Sequence, residues 1–405
     1  MKSKEQDADA DLCQPLHLPC GIQLKNRLVK AAMSDSLGDG AGNPTPEQMR
    51  LYQRWAYGGA ALTIIGEAQV TPWHPEKPGN LVFDPTADMN ALGTLAARGR
   101  VNDTQIWPQL GHAGALSYRP ISHPAGPSPL NIDGLQCAGL SRDDVTALPA
   151  LYAKAAQVAQ DAGFSGVQIH AGHGFLFSQF LSPLFNHRVD AYGGDVAGRF
   201  RIIGETIDAV RRAVGPSFPI GIRINATDQL QGGLTNEDAL EVVRLLSAST
   251  ADLIDISGGT YFPGAPSSSE GSAASGPYFL EFAKRAKTVS AIPIMLTGGF
   301  KTQDQAISAL RSGAADAIGL ARAMVLDPAL PNAWLKGGSN DPVFPVFQET
   351  VPGGVTAWYS MRLTALGQDA EAAFDQSLSE ALTANDERDA ARCTLWRKRF
   401  GPPPA

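Results

Sequence analysis

The sequence predicts a (βα)8 barrel, the TIM-barrel fold, with an appended C-terminal helical tail. Eight short apolar segments recur along the 405 residues, and segments with helical periodicity separate them. Near-continuous apolar strands that alternate with helices are typical of a parallel sheet, and this many units favour a closed barrel over an open sheet. The length agrees with this fold, because such a barrel needs about 250 residues and tolerates extensions.

The predicted strands are short and rich in apolar and β-branched residues. In chain order they are residues 28–33, 61–70, 104–110, 166–171, 220–225, 252–257, 293–297 and 316–320. A (βα)8 barrel builds its active site at the carboxyl ends of its strands. We therefore expect the functional residues directly after these segments.

The clearest helical pattern covers residues 145–162, where apolar residues recur with a period of 3.6 after the start signal Ser141-x-x-Asp144. A weaker apolar stripe covers residues 200–210. The segments "TNEDALEVVRLL" and "TQDQAISALRSG" each open on a threonine that predicts a helix cap. These helices supply connections between parallel strands.

The chain is expected to divide into a flexible N-terminal tail at residues 1–12, a barrel at 13–335 and an extension at 336–405. In the extension, helical signal covers residues 356–382 and 384–398. We expect the extension to pack on the barrel or on a partner subunit, since it shows no core of its own. A homo-oligomer is therefore one option.

Two long segments interrupt the alternation of predicted strands and helices. Residues 111–144 are rich in proline, glycine and serine, and residues 258–276 form a low-complexity segment. In a barrel both would lie over the strand ends and shape the substrate pocket. The alternative is that they are surface loops without a role.

The composition is that of an ordinary soluble globular protein, with 43% apolar residues, 18% charged residues and a net charge of -7. Nothing in it indicates a nucleic-acid partner. No secretory signal and no apolar stretch long enough to span a bilayer is present, so we expect a cytoplasmic location. The four cysteines lack C-x-x-C spacing, which argues against a zinc or iron-sulfur site.

The residues after the last two strands indicate a ligand with a phosphate group. "TGGF" follows the seventh strand and contains Gly298 and Gly299, while "GLARA" ends the eighth and contains Ala321 and Arg322. Barrels of this type bind phosphate at these two strands with backbone N–H groups and a helix N-terminus.

Arg223 lies inside the apolar strand "IGIRIN" and would point into the barrel mouth. A buried guanidinium needs an anionic partner, because leaving the charge unpaired costs several kcal/mol. Two partners are open: a carboxylate such as Glu67, or a ligand that carries negative charge.

His170 and His173 end the fourth strand, and three interpretations are open. They could ligate a metal with His112 or Glu67, although zinc requires a third close ligand. They could be core histidines that are satisfied by backbone groups. They could also donate hydrogen bonds to a substrate carbonyl or oxyanion.

The segment "HAGHGFLFSQFLSPLFNHRVDAYGGDVAGRFR", residues 170–201, resembles the signature of the old yellow enzyme family of FMN-dependent oxidoreductases. "PLHLPCGIQLKNRLVKAAM", "QLGHAG", "GIRIN", "TGGF" and "GLARAMVLDP" also fall in the family's order. Each motif is weak alone, but the set is specific.

The resemblance implies a noncovalent FMN over the strand ends, reduced by NADPH or NADH. The ring would be contacted by Met33, Ser34, Ala68, Gln109 and Arg223, and the phosphate by Gly298, Gly299, Ala321 and Arg322. His170 and His173 would donate to the carbonyl of a small enone-type substrate as hydride leaves the flavin for its β-carbon. No metal is implied.

Phe175 departs from the family pattern, in which a tyrosine two residues after the second histidine acts as general acid. General acid catalysis contributes typically about 10²- to 10⁴-fold in rate. Reduction could proceed with a proton from water or from Tyr118, Tyr261 or Tyr359. The alternatives are an isomerase or a desaturase/oxidase acting on a carbonyl compound, or a non-catalytic flavin-binding protein.

Overall fold

Eight parallel strands close into a barrel in the computed structural model, which describes residues 11–132, 134–265, 276–338 and 340–402. They are β1 Leu28–Lys30, β2 Leu62–Gln69, β3 Gln105–Gly111, β4 Val167–Ala171, β5 Ile220–Asn225, β6 Leu253–Ser257, β7 Ile294–Thr297 and β8 Ala317–Leu320. β8 pairs with β1 and closes the ring. The predicted (βα)8 barrel is thus confirmed, and β1 is shorter than the segment predicted for it.

Helices connect the strands on the outside of the barrel. In chain order they are Pro46–Tyr57, Met89–Gly99, Arg142–Asp161, Leu176–Leu181, Val196–Val214, Asn236–Ser247, Leu280–Lys287, Gln303–Arg311, Ala323–Leu326 and Leu330–Leu335. The predicted caps are present, since Ser141 forms a capping box with Asp144 and the side chains of Thr235 and Thr302 accept from backbone N–H groups. No helix in the described ranges is long and apolar enough to cross a membrane.

The segment after β3 contains more structure than its composition predicted. Its short elements are the 3₁₀ turns Gly114–Leu116 and Arg119–Ile121 and the strands Ala125–Gly126, Leu130–Ile132 and Leu135–Gly139. Outside it, Leu16–His17 pairs with Gln23–Leu24, Leu81–Val82 extends the sheet beside β2, and Glu371–Ala373 is a third 3₁₀ turn. In the other predicted loop, residues 266–275 lie outside the described residues.

The C-terminal extension contains two helices, Gly354–Gly367 and Leu378–Phe400. The predicted helix 356–382 therefore ends early, because Arg50 Nε donates to the carbonyl of Gly367 at 2.6 Å and Asp369 takes a left-handed φ of 56°. The second helix begins after Ser377, which forms a capping box at its N-terminus.

The helix Leu378–Phe400 lies against the loops that follow β1 and β2 of its own chain. Lys77 Nζ lies 3.1 Å from the buried Asp389 carboxylate, and Arg392 donates to the carbonyl of Ser36. Trp396 is fully buried, and its indole N–H donates to the carbonyl of Pro72 at 3.2 Å.

The predicted N-terminal tail lies mostly outside the described residues, which begin at Asp11. Leu12, the last residue of that tail, is fully buried, and its carbonyl accepts from the Arg27 N–H. The described end of the tail therefore packs on the barrel.

Lys30 is a buried cation within β1. Its side chain is 1% exposed, Nζ donates to the carbonyl of Ala31 at 2.7 Å, and the ammonium lies 4.3 Å from the centre of the Trp55 ring. Burial lowers the pKa of Lys30 to about 7.

The free energy of unfolding is expected to depend on pH through Lys30. Because its pKa is lowered in the folded state, the unfolded chain binds more protons above about pH 7, and the cost of the buried charge disappears as pH rises toward 10. Lys30→Met should therefore stabilise the protein more at pH 6 than at pH 9, with a slope of at most about 1.4 kcal/mol per pH unit. Urea unfolding at both pH values measures this gap. The same difference in free energy of unfolding between Lys30→Met and the wild-type protein at pH 6 and pH 9 would contradict this prediction. Lys284→Met, which removes a surface lysine, is the control.

Candidate active site

Polar side chains from neighbouring strands meet at the carboxyl ends of the barrel. In the strand register Gln109 lies opposite Gln168, His170 opposite Arg223, and Arg223 opposite Asp255. All five are buried. Residues at the same height on adjacent parallel strands are within reach of each other, so the fold itself assembles this group.

Arg223 forms an ion pair with Asp255 and keeps one nitrogen unsatisfied. Its Nε donates to Asp255 Oδ2 at 2.6 Å, and its Nη1 donates to the carbonyl of Ala32 at 3.2 Å. Nη2 is buried and has no hydrogen-bond partner. A buried donor left unpaired costs about 1 to 3 kcal/mol, so this nitrogen indicates a missing acceptor.

The carboxylate that pairs with Arg223 was not singled out from the sequence. The carboxylate that the sequence analysis suggested as a possible partner of Arg223 was Glu67, whose side chain lies outside the described part of the structure. The segment "LIDIS" could have indicated the observed partner, because Asp255 interrupts an apolar strand just as Arg223 interrupts the strand before it. Two opposite charges in adjacent buried strands predict a pair.

Asp255 is the centre of a buried hydrogen-bond network. It accepts from Thr297 Oγ1 at 2.7 Å and from Gln168 Nε2 at 3.0 Å. Gln168 in turn accepts from Gln109 Nε2 at 2.7 Å. The network thus links β3, β4, β5, β6 and β7 and fixes the predicted cofactor contacts Gln109 and Arg223 in place.

His170 and His173 are brought together at the end of β4. Their rings are 5.2 Å apart and nearly perpendicular. His173 is held by the bond from its backbone N–H to Asn225 Oδ1 and by a 2.9 Å contact between its Nε2 and Ser257 Oγ. His173 has a φ of 59°, an uncommon left-handed conformation for a residue other than glycine.

Both imidazoles are neutral near pH 7. Burial and the Arg223 cation lower the pKa of His173 to about 3, and burial, His173 and Arg223 hold the pKa of His170 well below its usual range. His170 Nδ1 accepts from the Gly172 N–H at 3.2 Å, so the ring proton is on Nε2. His170 therefore offers a neutral N–H donor, and neither ring carries a positive charge.

Phe175 lies within the same group of rings. It caps the helix Leu176–Leu181, and its ring is 5.1 Å from that of His170 and 3% exposed. Tyr261, from the loop after β6, has its ring 5.8 Å from Phe175 and 6.1 Å from His173. Phe175 thus belongs to this group of rings and has no transferable proton.

The residues predicted to hold a phosphate lie at the ends of the paired strands β7 and β8. Gly298 and Gly299 have φ values of 116° and 83°, and a Cβ at Gly299 would clash with the carbonyl of Gly276. Glycine is required there. Ala321 and Arg322 follow β8, and the guanidinium of Arg322 lies 5.0 Å from the centre of the Tyr359 ring.

Ser34 contacts a carboxylate that sequence analysis did not identify. Its hydroxyl donates to Glu76 Oε2 at 2.9 Å, and burial raises the pKa of Glu76. Met33 lies against β2 at a point where a Cβ on Gly66 would clash with the Met33 carbonyl. Ala68 is buried two residues further along that strand.

His112 stacks on His74 with 4.2 Å between ring centres, and its Nδ1 accepts from the Gly114 N–H. Burial lowers the pKa of His74 to about 4. No group of three His, Cys, Asp or Glu side chains that could hold a metal ion was found in the ranges that the structure describes.

Residues 11–340 match the model of the NADH:flavin oxidoreductase / NADH oxidase family. The chain is 34% identical over 360 residues to an NADH-dependent flavin oxidoreductase from Neonectria sp. (strain DH2), covering 80% of this chain and 47% of that relative. It is 31% identical over 320 residues to an NADPH dehydrogenase from Geobacillus thermodenitrificans (strain NG80-2), covering 78% and 91%.

Among solved structures, an old yellow enzyme homologue from Zymomonas mobilis is similar with a TM-score of 0.69 and 23% identity, covering 82% of this chain and 95% of that one. This likeness concerns the fold. The chain spans about half the length of the Neonectria relative and most of the other two.

Proposed function

The chain belongs to the NADH:flavin oxidoreductase / NADH oxidase family, and from this premise we propose that it reduces the activated C=C bond of α,β-unsaturated carbonyl compounds. FMN is the cofactor of this family, and NADH or NADPH is the reductant. The observation that supports the proposal is the neutral pair His170 and His173 at the end of β4, beside the unsatisfied nitrogen of Arg223.

The residues at the barrel mouth fit FMN. Arg223 Nη2 is a buried donor that lacks an acceptor, and an electron-rich flavin ring would supply one. Gly298 and Gly299 follow β7 with left-handed φ values, at the strand ends where barrels of this kind bind phosphate. The ring would be held by Met33, Ser34, Ala68, Gln109 and Arg223, and the phosphate by Gly298, Gly299, Ala321 and Arg322.

FMN, when bound, would supply the hydride chemistry, with electrons that derive from NADH or NADPH. His170 and His173 would hold the substrate carbonyl oxygen with N–H donors and stabilise the negative charge that develops there. Neutral imidazoles suit this role, because they donate a hydrogen bond without giving up a proton to the oxygen. Asn225 and Ser257 keep His173 oriented.

Phe175 supports a second candidate function. A site whose usual acid is replaced by an apolar ring is also suited to reactions that need no proton at the α-carbon, such as isomerisation, or desaturation with oxygen as electron acceptor. A non-catalytic flavin-binding protein would use the same barrel without turnover. These candidates differ in what reoxidises the flavin.

The experiment is an anaerobic titration of the purified protein. We expect a yellow protein that NADH or NADPH bleaches under nitrogen and that cyclohexenone returns to yellow, with cyclohexanone as product. Reoxidation by oxygen and not by cyclohexenone would contradict the proposal and support the oxidase or desaturase. Failure of both nucleotides to bleach the flavin would support the non-catalytic alternative.

The remaining expectations stay predictions. They are a cytoplasmic location, the absence of a nucleic-acid partner, a homo-oligomer, and the division into an N-terminal tail, a barrel and an extension.

A further inference from the structure

We propose that Tyr261 donates the proton that the missing tyrosine at position 175 would supply. This inference rests on the proposed reduction of an activated C=C bond. It assigns a catalytic residue outside the motif "HAGHGF", from the loop that follows β6.

The ring of Tyr261 lies against the residues that would hold the substrate. It is 6.1 Å from the ring of His173 and 5.8 Å from that of Phe175, measured between ring centres. Phe175 in turn lies 5.1 Å from His170. Tyr261 therefore borders the place where a substrate carbonyl bound to the two histidines would lie.

The backbone fixes Tyr261 in this position. Its N–H donates to the carbonyl of His173 at 3.1 Å, and Thr260 forms a parallel bridge with His173. On its other side, Phe262 is 2% exposed and stacks on Phe185 with 3.8 Å between ring centres. A tyrosine between two anchored neighbours keeps its place relative to the histidines.

Tyr261 can also recover its proton, because 62% of its surface is exposed. The other two tyrosines considered as donors lie at different places. Tyr359 is buried over Arg322 at the predicted phosphate site, and burial raises its pKa to about 12. Tyr118 lies over the ammonium of Lys77, next to the C-terminal helix.

A hydride that derives from NADH or NADPH would form the new C–H bond at the β-carbon, by the chemistry that bound FMN would supply, and the electron pair of the C=C bond would move toward the carbonyl oxygen held by His170 and His173. The O–H bond of Tyr261 then breaks, and its proton forms the C–H bond at the α-carbon. Water returns a proton to the phenolate.

The test compares Tyr261→Phe with Tyr57→Phe, which alters an equally exposed tyrosine on the outer helix Pro46–Tyr57. Cyclohexanone formation and anaerobic bleaching by NADH or NADPH are measured in the same preparations. We expect Tyr261→Phe to form cyclohexanone at least about 10-fold more slowly, since a general acid contributes typically 10² to 10⁴. Bleaching should be unchanged in both variants.

A second variant tests whether the lost group is a proton donor. Phe175→Tyr should restore cyclohexanone formation in the Tyr261→Phe background and gain less in the wild-type protein. Wild-type rates in Tyr261→Phe would overturn the assignment of Tyr261 and leave the proposed function standing. A wild-type protein that forms no cyclohexanone would overturn the proposed function, and this inference with it.

Discussion

Asp255→Ala is expected to lower the free energy of unfolding by about 3 to 5 kcal/mol, the usual cost of removing one partner from a buried ion pair. Asp255 is fully buried and accepts from Arg223, Thr297 and Gln168. Without it, the Arg223 guanidinium stays buried with no counter-charge, and two more donors lose their acceptor. Urea unfolding of the wild-type protein and the variant measures the difference.

The matched control is Glu281→Ala, which removes the carboxylate of the exposed pair with Lys284. Such surface pairs contribute about 0 to 1 kcal/mol. A loss below about 1 kcal/mol for Asp255→Ala as well would contradict the network. Added FMN should raise the free energy of unfolding of both proteins, because a ligand that binds only the folded state stabilises it.

His170→Ala is expected to slow reoxidation of the reduced flavin by cyclohexenone about 10²- to 10³-fold, the usual effect of removing one oxyanion donor. The Gly172 N–H donates to Nδ1 of His170 and so fixes the ring proton on Nε2, the nitrogen that would donate to the substrate. Stopped-flow absorbance under nitrogen measures the rate. His17→Ala, at an exposed histidine of the N-terminal hairpin, is the control and should match the wild-type protein.

The same rate should show no step from imidazole titration between about pH 5 and pH 8. The pKa of His173 is lowered to about 3 and that of His170 lies well below its usual range, so both rings stay neutral throughout this window. A bell-shaped profile in the wild-type protein that disappears in His170→Ala would show that an imidazolium takes part, contrary to this account.

Local patterns predicted the fold because each barrel element carries its own signal. Every predicted strand became a barrel strand, and the Ser141 capping box begins the helix where it was expected. The helix predicted at 356–382 ends early because a tertiary contact, the hydrogen bond from Arg50 Nε to the carbonyl of Gly367, lies at its end. Periodicity does not contain that information.

Site residues could be predicted where an unusual polar residue stands in or after a single strand. Contacts between segments that are distant in the sequence could not be predicted. His170 and Arg223 stand out within their own strands, and His173 stands out two residues after β4. The pairing of Arg223 with Asp255 depends on the register between β5 and β6, and that of Ser34 with Glu76 on a loop. Tyr261 was one of three candidate tyrosines, and three-dimensional contacts distinguish it: the backbone bond to His173 and the nearby rings of His173 and Phe175.

The central claim, hydride delivery to an enone held by His170 and His173, is tested most directly with isotopes. The protein is supplied with FMN, cyclohexenone and NADH or NADPH carrying deuterium on both positions of nicotinamide C4, in ordinary water. The account predicts cyclohexanone with deuterium at the β-carbon and hydrogen at the α-carbon, and the reverse pattern with unlabelled nucleotide in heavy water. Cyclohexanone without deuterium at the β-carbon, or recovery of unreduced cyclohexenone while the nucleotide is consumed, would contradict it.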